Sequence, residues 1–149
     1  MSNYEIKHRE DQYSLLADYD FNIKRRRNQL LYKPLLQKKD FLSSYSKKIN
    51  LTESPPDLVL AGTNNLRVTD LLEKNEQIIS VSKEALIYKF PSTPTIKLEL
   101  ARLEIGKCVY FSLCVEGRSQ TLVRTLARGL LGTKVSCDYV SFLKQIKPC

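Results

Sequence analysis

The chain has 149 residues, an ordinary size for one domain, and 42% of them are hydrophobic, enough for a globular core. A large multidomain enzyme and wholesale disorder are thereby excluded. No apolar run approaches the roughly 18 to 20 residues of a membrane-spanning helix, and MSNYEIKHREDQ lacks the apolar stretch of a secretion signal, so neither membrane insertion nor secretion is expected.

All five glycines follow residue 61, which leaves the first sixty residues without glycine punctuation. Leu15, Tyr19 and Ile23 recur at i, i+4 and i+8, and Phe41, Leu42, Tyr45 and Ile49 form a second apolar stripe. This spacing predicts two or three short helices over about 8–50, interrupted at Pro34, where the backbone donor is missing. TESPPD at 52–57 predicts a connection to a second half over about 58–149.

In that half, Asp70 with Glu73 three residues on predicts the start of a short helix. Ile78–Val81 and Ala85–Phe90 are β-rich runs that suggest a hairpin around Ser82, Lys83 and Glu84. The clearest signal is TIKLELARLEI, then Gly106-Lys107, then CVYFSLCVEG, which predicts two strands joined by a glycine-first type II′ turn. Such a turn fixes the register: Ile105 opposes Cys108, Leu103 Tyr110, Ala101 Ser112, Glu99 Cys114, and Lys97 Glu116. Leu98, Leu100, Val109, Phe111, Leu113 and Val115 then form a stripe suited to a packed helix. RSQTLVRTLARGLL supplies a candidate, with Ser119 as N-cap and Gly132 as C-cap, and Tyr139 to Ile146 predicts one or two further helical turns. The fold class expected is α+β: a single domain over 1–149, with a helical N-terminal part followed by an antiparallel sheet of hairpins backed by a C-terminal helix.

Twenty-four Lys and Arg against sixteen Asp and Glu give a formal charge of +8. Along the chain the excess gathers in residues 21–50, which carry Lys24, Arg25, Arg26, Arg27, Lys33, Lys38, Lys39, Lys47 and Lys48 against Asp40 alone. Such a segment attracts polyanions by counterion release, so these nine residues are the candidate nucleic-acid contacts. KRRRNQ also fits a nuclear-import signal, and a solvated face or an acidic protein partner fits the charge equally. No zinc-finger spacing, RNA-recognition signature or P-loop accompanies it. Glu10-Asp11 and Asp18 with Asp20 precede the segment as acidic pairs that can serve as an internal counter-charge.

His8 is the only histidine, and no cofactor or metal constellation emerges. Gly117-Arg118-Ser119 superficially resembles a nucleophile elbow but lacks the second glycine and an activating base. The same helix start, with Arg118, Ser119, Arg124 and Arg128, is a candidate anion site. Cys108, Cys114, Cys137 and Cys149 contain no C-x-x-C pair, which predicts reduced, packed thiols in a reducing compartment. The hairpin face carrying Leu103, Ile105, Cys108 and Tyr110 is too apolar for open solvent, so either the N-terminal helices or a partner subunit is expected to cover it.

These features predict a non-enzymatic basic subunit of an intracellular assembly, nuclear rather than cytoplasmic. Its second half docks one or more protein subunits, and residues 24–48 contact DNA, RNA or another acidic surface. The alternative is a pure protein-protein adaptor that never touches nucleic acid.

Overall fold

The computed structural model describes residues 4–53, 67–132, 134 and 136–146. It is built mostly of antiparallel strands, with helices only in the middle and at the C-terminal end. The helical N-terminal part and the α+β class are thereby overturned: residues 4–50 form β1 (Tyr4–Leu16), β2 (Tyr19–Arg26), β3 (Gln29–Lys33), β4 (Leu35–Lys39), β5 (Leu42–Tyr45) and β6 (Ile49–Asn50).

The physical reason lies in the turns and in the period. The i, i+4, i+8 spacing of Leu15, Tyr19 and Ile23 is also an even spacing, and Tyr19, Phe21 and Ile23 alternate with Asp20, Asn22 and Lys24, the pattern of a half-buried strand. Turns without glycine are closed by residues that accept left-handed backbone. Arg27 and Asn28, at φ 47° and 64°, join β2 to β3, and Asp40, at φ 54°, joins β4 to β5. A two-residue link with both φ values positive has the handedness that keeps paired strands twisted together. Arg26 accordingly faces Gln29 across it.

The chain divides into two compact units, one of residues 1–10, 81–136 and 149, the other of residues 11–80 and 137–148. In the second unit β6, β3, β2 and the Asp11–Leu16 part of β1 lie side by side in that order. One side of this sheet carries Leu16, Ile23 and Tyr32, packed with Leu51 and with Leu71 of α1 (Val68–Asn75) into a buried cluster. The other side meets α3 (Tyr139–Gln145), where Tyr139 stacks on Tyr13 at 6.2 Å and Val140 and Leu143 are buried. Cover on both sides explains why Tyr13, Ser14, Leu15 and Leu16 are buried in succession rather than alternately. α1 begins at Val68, so Asp70 sits in its first turn and does not cap it. The expected connection over 52–57 lies largely outside the described residues.

β7 (Glu76–Phe90) is one continuous strand, in place of the expected hairpin, and its Val81–Phe90 part lies in the first unit with β8 (Ile96–Ile105) and β9 (Cys108–Gly117). The β8–β9 register is the one the turn predicts, residue for residue, with Gly106 at φ 60°. The far-end charges also meet, Lys97 Nζ lying 3.6 Å from Glu116. α2 (Gln120–Leu131) starts at Ser119, whose Oγ accepts from the Leu122 N–H at 3.3 Å, and stops at Gly132, at φ 56°. Where β9 gives way to α2, a Cβ on Gly117 would crowd Ile96 Cδ1 and lie 3.3 Å from the Thr95 carbonyl oxygen, so a larger residue there requires the Ile96 side chain to shift.

The two sides of this sheet are treated opposite to expectation. Val81, Ala85, Ile87, Ala101 and Leu103 share one side by register and are buried, whereas Leu86, Leu100, Val109 and Phe111 on the other side are exposed. We expect Leu103→Ala to cost about 3 kcal/mol of unfolding free energy, and Phe111→Ser less than about 0.5 kcal/mol, as for an exposed site. Urea denaturation of both variants checks this. Equal costs would mean that buried and open sides are misassigned.

Candidate functional site

Antiparallel register arranges the open side of the first unit in rows. Across β7, β8 and β9 the rows run Tyr88–Leu98–Val115, Leu86–Leu100–Leu113, Glu84–Arg102–Phe111 and Ser82–Glu104–Val109. β1 lies beside β7 and extends them. His8 Nδ1 is 3.6 Å from Glu84 Oε2, and Ser82 Oγ donates to Glu10 at 2.6 Å. Strand alternation continued from these two contacts puts Ile6 level with Leu86 and Tyr4 level with Tyr88. Four strands therefore present one continuous apolar surface, on which Phe111 is 74% exposed and Ile6 60%. A charged border closes one end, where Arg102 donates to Glu104 and Glu84 stands beside His8. A patch of this kind, apolar within and polar at the rim, marks a binding surface rather than ordinary solvated sheet.

The four residues expected to seek a cover are placed on the other side. Leu103 is 1% exposed, and Ile105, Cys108 and Tyr110 are half-buried. Leu100, Val109 and Phe111, expected under a helix, are the open ones. Both sets alternate identically in sequence, so only tertiary packing distinguishes them. Ile6 and Tyr4 lie before the helical part expected over about 8–50 and are assigned to no element from the sequence; the alternation of Tyr4 and Ile6 with Glu5 and Lys7 is the available signal.

The nine cations of residues 24–48 do not form one surface. Strand alternation sends Lys24 and Arg26 to the side of the sheet that faces α3, and Arg25 to the opposite side. There Asp11, nearly buried, accepts from Lys24 Nζ at 3.1 Å and from Arg26 Nε and Nη2 at 2.6 and 2.7 Å. Burial alone would push the Asp11 carboxyl up, but the Arg26 and Lys24 hydrogen bonds and charges outweigh it and hold it below the ordinary carboxylate range. Lys24 also lies over the Tyr13 ring. The internal counter-charge expected from the acidic pairs is realised here by Asp11, while Asp20 accepts from Lys144 at 2.9 Å.

Lys38 pairs with Asp138 at 3.0 Å, a contact that raises the lysine pKa. Burial works against the Asp138 carboxylate, yet the Ser141 N–H and Lys38 keep it ionised below the usual range. Lys33 packs over the Tyr45 ring. Arg25, Arg27, Lys39, Lys47 and Lys48 are exposed. By unit the charge excess is no longer local: the first unit holds eleven Lys and Arg against six Asp and Glu, the second thirteen against ten. The concentration visible along the chain is diluted by folding.

At the start of α2, Arg118 is exposed and the Ser119 hydroxyl is engaged in capping. Arg124 and Arg128 each have partners of their own. Arg118 and Ser119 precede the helix, Arg124 lies in its second turn and Arg128 in its last. Cys108 is disulfide-bonded, which overturns the expectation of four reduced thiols, whereas Cys114 and Cys137 are not bridged. Among the described residues no helix is long and apolar enough to cross a membrane, and no group of three His, Cys, Asp or Glu could hold a metal ion.

No protein-family model, curated protein or solved structure matches the chain.

The Asp11 clamp has a pH signature. A carboxylate held below its usual range contributes stability that is complete above the ordinary carboxylate pKa of about 4 and is lost as the pH falls through the lower folded value. Asp11→Asn leaves two largely buried cations uncompensated and is expected to cost about 3 kcal/mol at neutral pH. The penalty should shrink as the pH falls below about 4, where the carboxylate protonates in the unfolded chain, and should go on shrinking through its lower folded value. Urea unfolding from neutral to acidic pH measures both; a penalty independent of pH would refute the clamp.

Proposed function

We propose that this chain is a non-enzymatic docking subunit that binds another protein surface through the open side of β1, β7, β8 and β9. The observation that carries this is the four-strand apolar surface, with Leu86 and Leu100 on its two inner strands and Phe111 on its outer one, exposed on a chain that buries the opposite side of the same strands. About 25 cal/mol is gained per Å² of apolar surface removed from water, so a cover over this patch is strongly favoured. Such a surface needs no catalytic group, and the alternative of a pure protein-protein adaptor is the closer description.

A second reading, contact with DNA or RNA phosphates, is favoured by Arg25, Arg27, Lys39, Lys47 and Lys48, which are exposed. Lys24, Arg26 and Lys38 are committed to Asp11 and Asp138, so they support it less than their sequence position suggests. A nuclear setting belongs to this proposal through the phosphate contacts alone. The KRRR run lies in a strand and its turn with Lys24 and Arg26 paired to Asp11, so it supports an import signal less than its sequence suggests.

Affinity purification of the tagged full chain tests docking: Leu100→Glu and Phe111→Glu should release the co-purifying chains while leaving the melting temperature unchanged. Retention of every companion by both variants would remove the open side from the model. For the phosphate contacts, duplex DNA affinity should fall with salt at a log-log slope of about −0.9 per neutralised phosphate. Alanine at Arg25, Arg27, Lys47 and Lys48 should flatten that slope, and an unaltered slope rejects the contact.

A further inference from the structure

We infer that the occupant of the open sheet side is a second copy of this chain, packed face to face across a two-fold axis parallel to the strands and passing between β7 and β8. This rests on the docking reading above and names its partner.

Charge decides the symmetry. A two-fold along the strands keeps each row at its own height and exchanges left for right. β7 of one copy then lies over β8 of the other, and β1 over β9. In the row Glu84–Arg102, which pairs by register within one chain, Glu84 meets Arg102 of the second copy and Arg102 meets its Glu84. In the adjoining row Leu86 meets Leu100, and the extended row sets Ile6 over Leu113. The other in-plane two-fold, across the strands through the middle of the face, drives Glu84 and Arg102 against Leu86 and Leu100, which leaves both charges desolvated and unmatched. Of the two, the first arrangement matches the Glu84–Arg102 row with its own opposite charges and stacks the apolar rows on each other, as an isologous contact requires, and it leaves Glu10 and Glu104 of the last row at the rim. The tie between Arg102 and Glu104 does not oppose this, because a guanidinium has five donors and can serve a second carboxylate.

Area is consistent with it. Four strands about 4.8 Å apart, over rows spanning about 27 Å, give a flat face of about 500 Å² per copy. The pair buries about 1,000 Å² in total, the lower bound for a specific contact, so a weak, concentration-dependent dimer is expected. Two sheets stacked about 10 Å apart with strands within about 30° are an ordinary aligned sandwich.

Sedimentation velocity of the full chain between about 1 and 100 μM tests this, with an expected dissociation constant on the order of 10 μM. Leu100→Glu, at a site half open to solvent, should stay folded by circular dichroism and remain monomeric throughout. Glu84→Arg and Arg102→Glu should each weaken association at least about tenfold, and the two together should restore it to within about threefold, because the exchanged charges again face their opposites. A wild-type chain that stays monomeric overturns the second copy; if Leu100→Glu still releases another protein in affinity purification, the docking reading survives that failure. A dimer indifferent to Leu100→Glu overturns the placement of the interface. A double variant no better than the singles overturns the axis.

Discussion

The two-residue turn at Gly106-Lys107 is the constraint on which the open surface depends. A turn of this length admits one register, and because side chains alternate along a strand, that register decides at once which residues of β8 and β9 share a side. Gly106 supplies the positive φ the corner needs. Once Leu103 faces Tyr110, Leu100 must stand with Leu113 on the opposite side, and Phe111 beside Arg102. The apolar surface and its charged border are therefore set by one corner of the chain.

In the second unit, burial and charge are reconciled by one carboxylate. Two cations on a strand that faces α3 would be costly alone, since neither keeps its hydration there. Asp11 on the neighbouring strand engages both with charge-assisted hydrogen bonds, the Arg26 fork taking both of its oxygens. The remaining cations are left on the surface with water, where electrostatic attraction to a polyanion is long-ranged but screened by salt. A cluster that looks uniform along the sequence is thus divided into structural and solvent-facing members by strand alternation alone.

Legibility followed locality. The β8–β9 hairpin, the Ser119 and Gly132 caps and the terminal α3 rest on contacts within a few residues, and each was legible from its own segment. The N-terminal half was not, because even spacing of apolar residues suits both a helix and a strand over short runs, and because its corners are closed by Arg27, Asn28 and Asp40 rather than by glycine. Tyr4 and Ile6 lie before the helices expected there, and half of their significance comes from lying next to β7, some eighty residues away in sequence.

What the amino-acid sequence determined by itself was therefore local: turn geometry, register, capping, the basic excess, and a hairpin apolar on both sides. Tertiary structure alone decided which side of the hairpin is covered, which cations find carboxylates, and which cysteine is bonded. The physical reason is that alternation assigns residues to two sides without saying which is inside. That choice belongs to whatever packs against the sheet, brought there by parts of the chain distant in sequence.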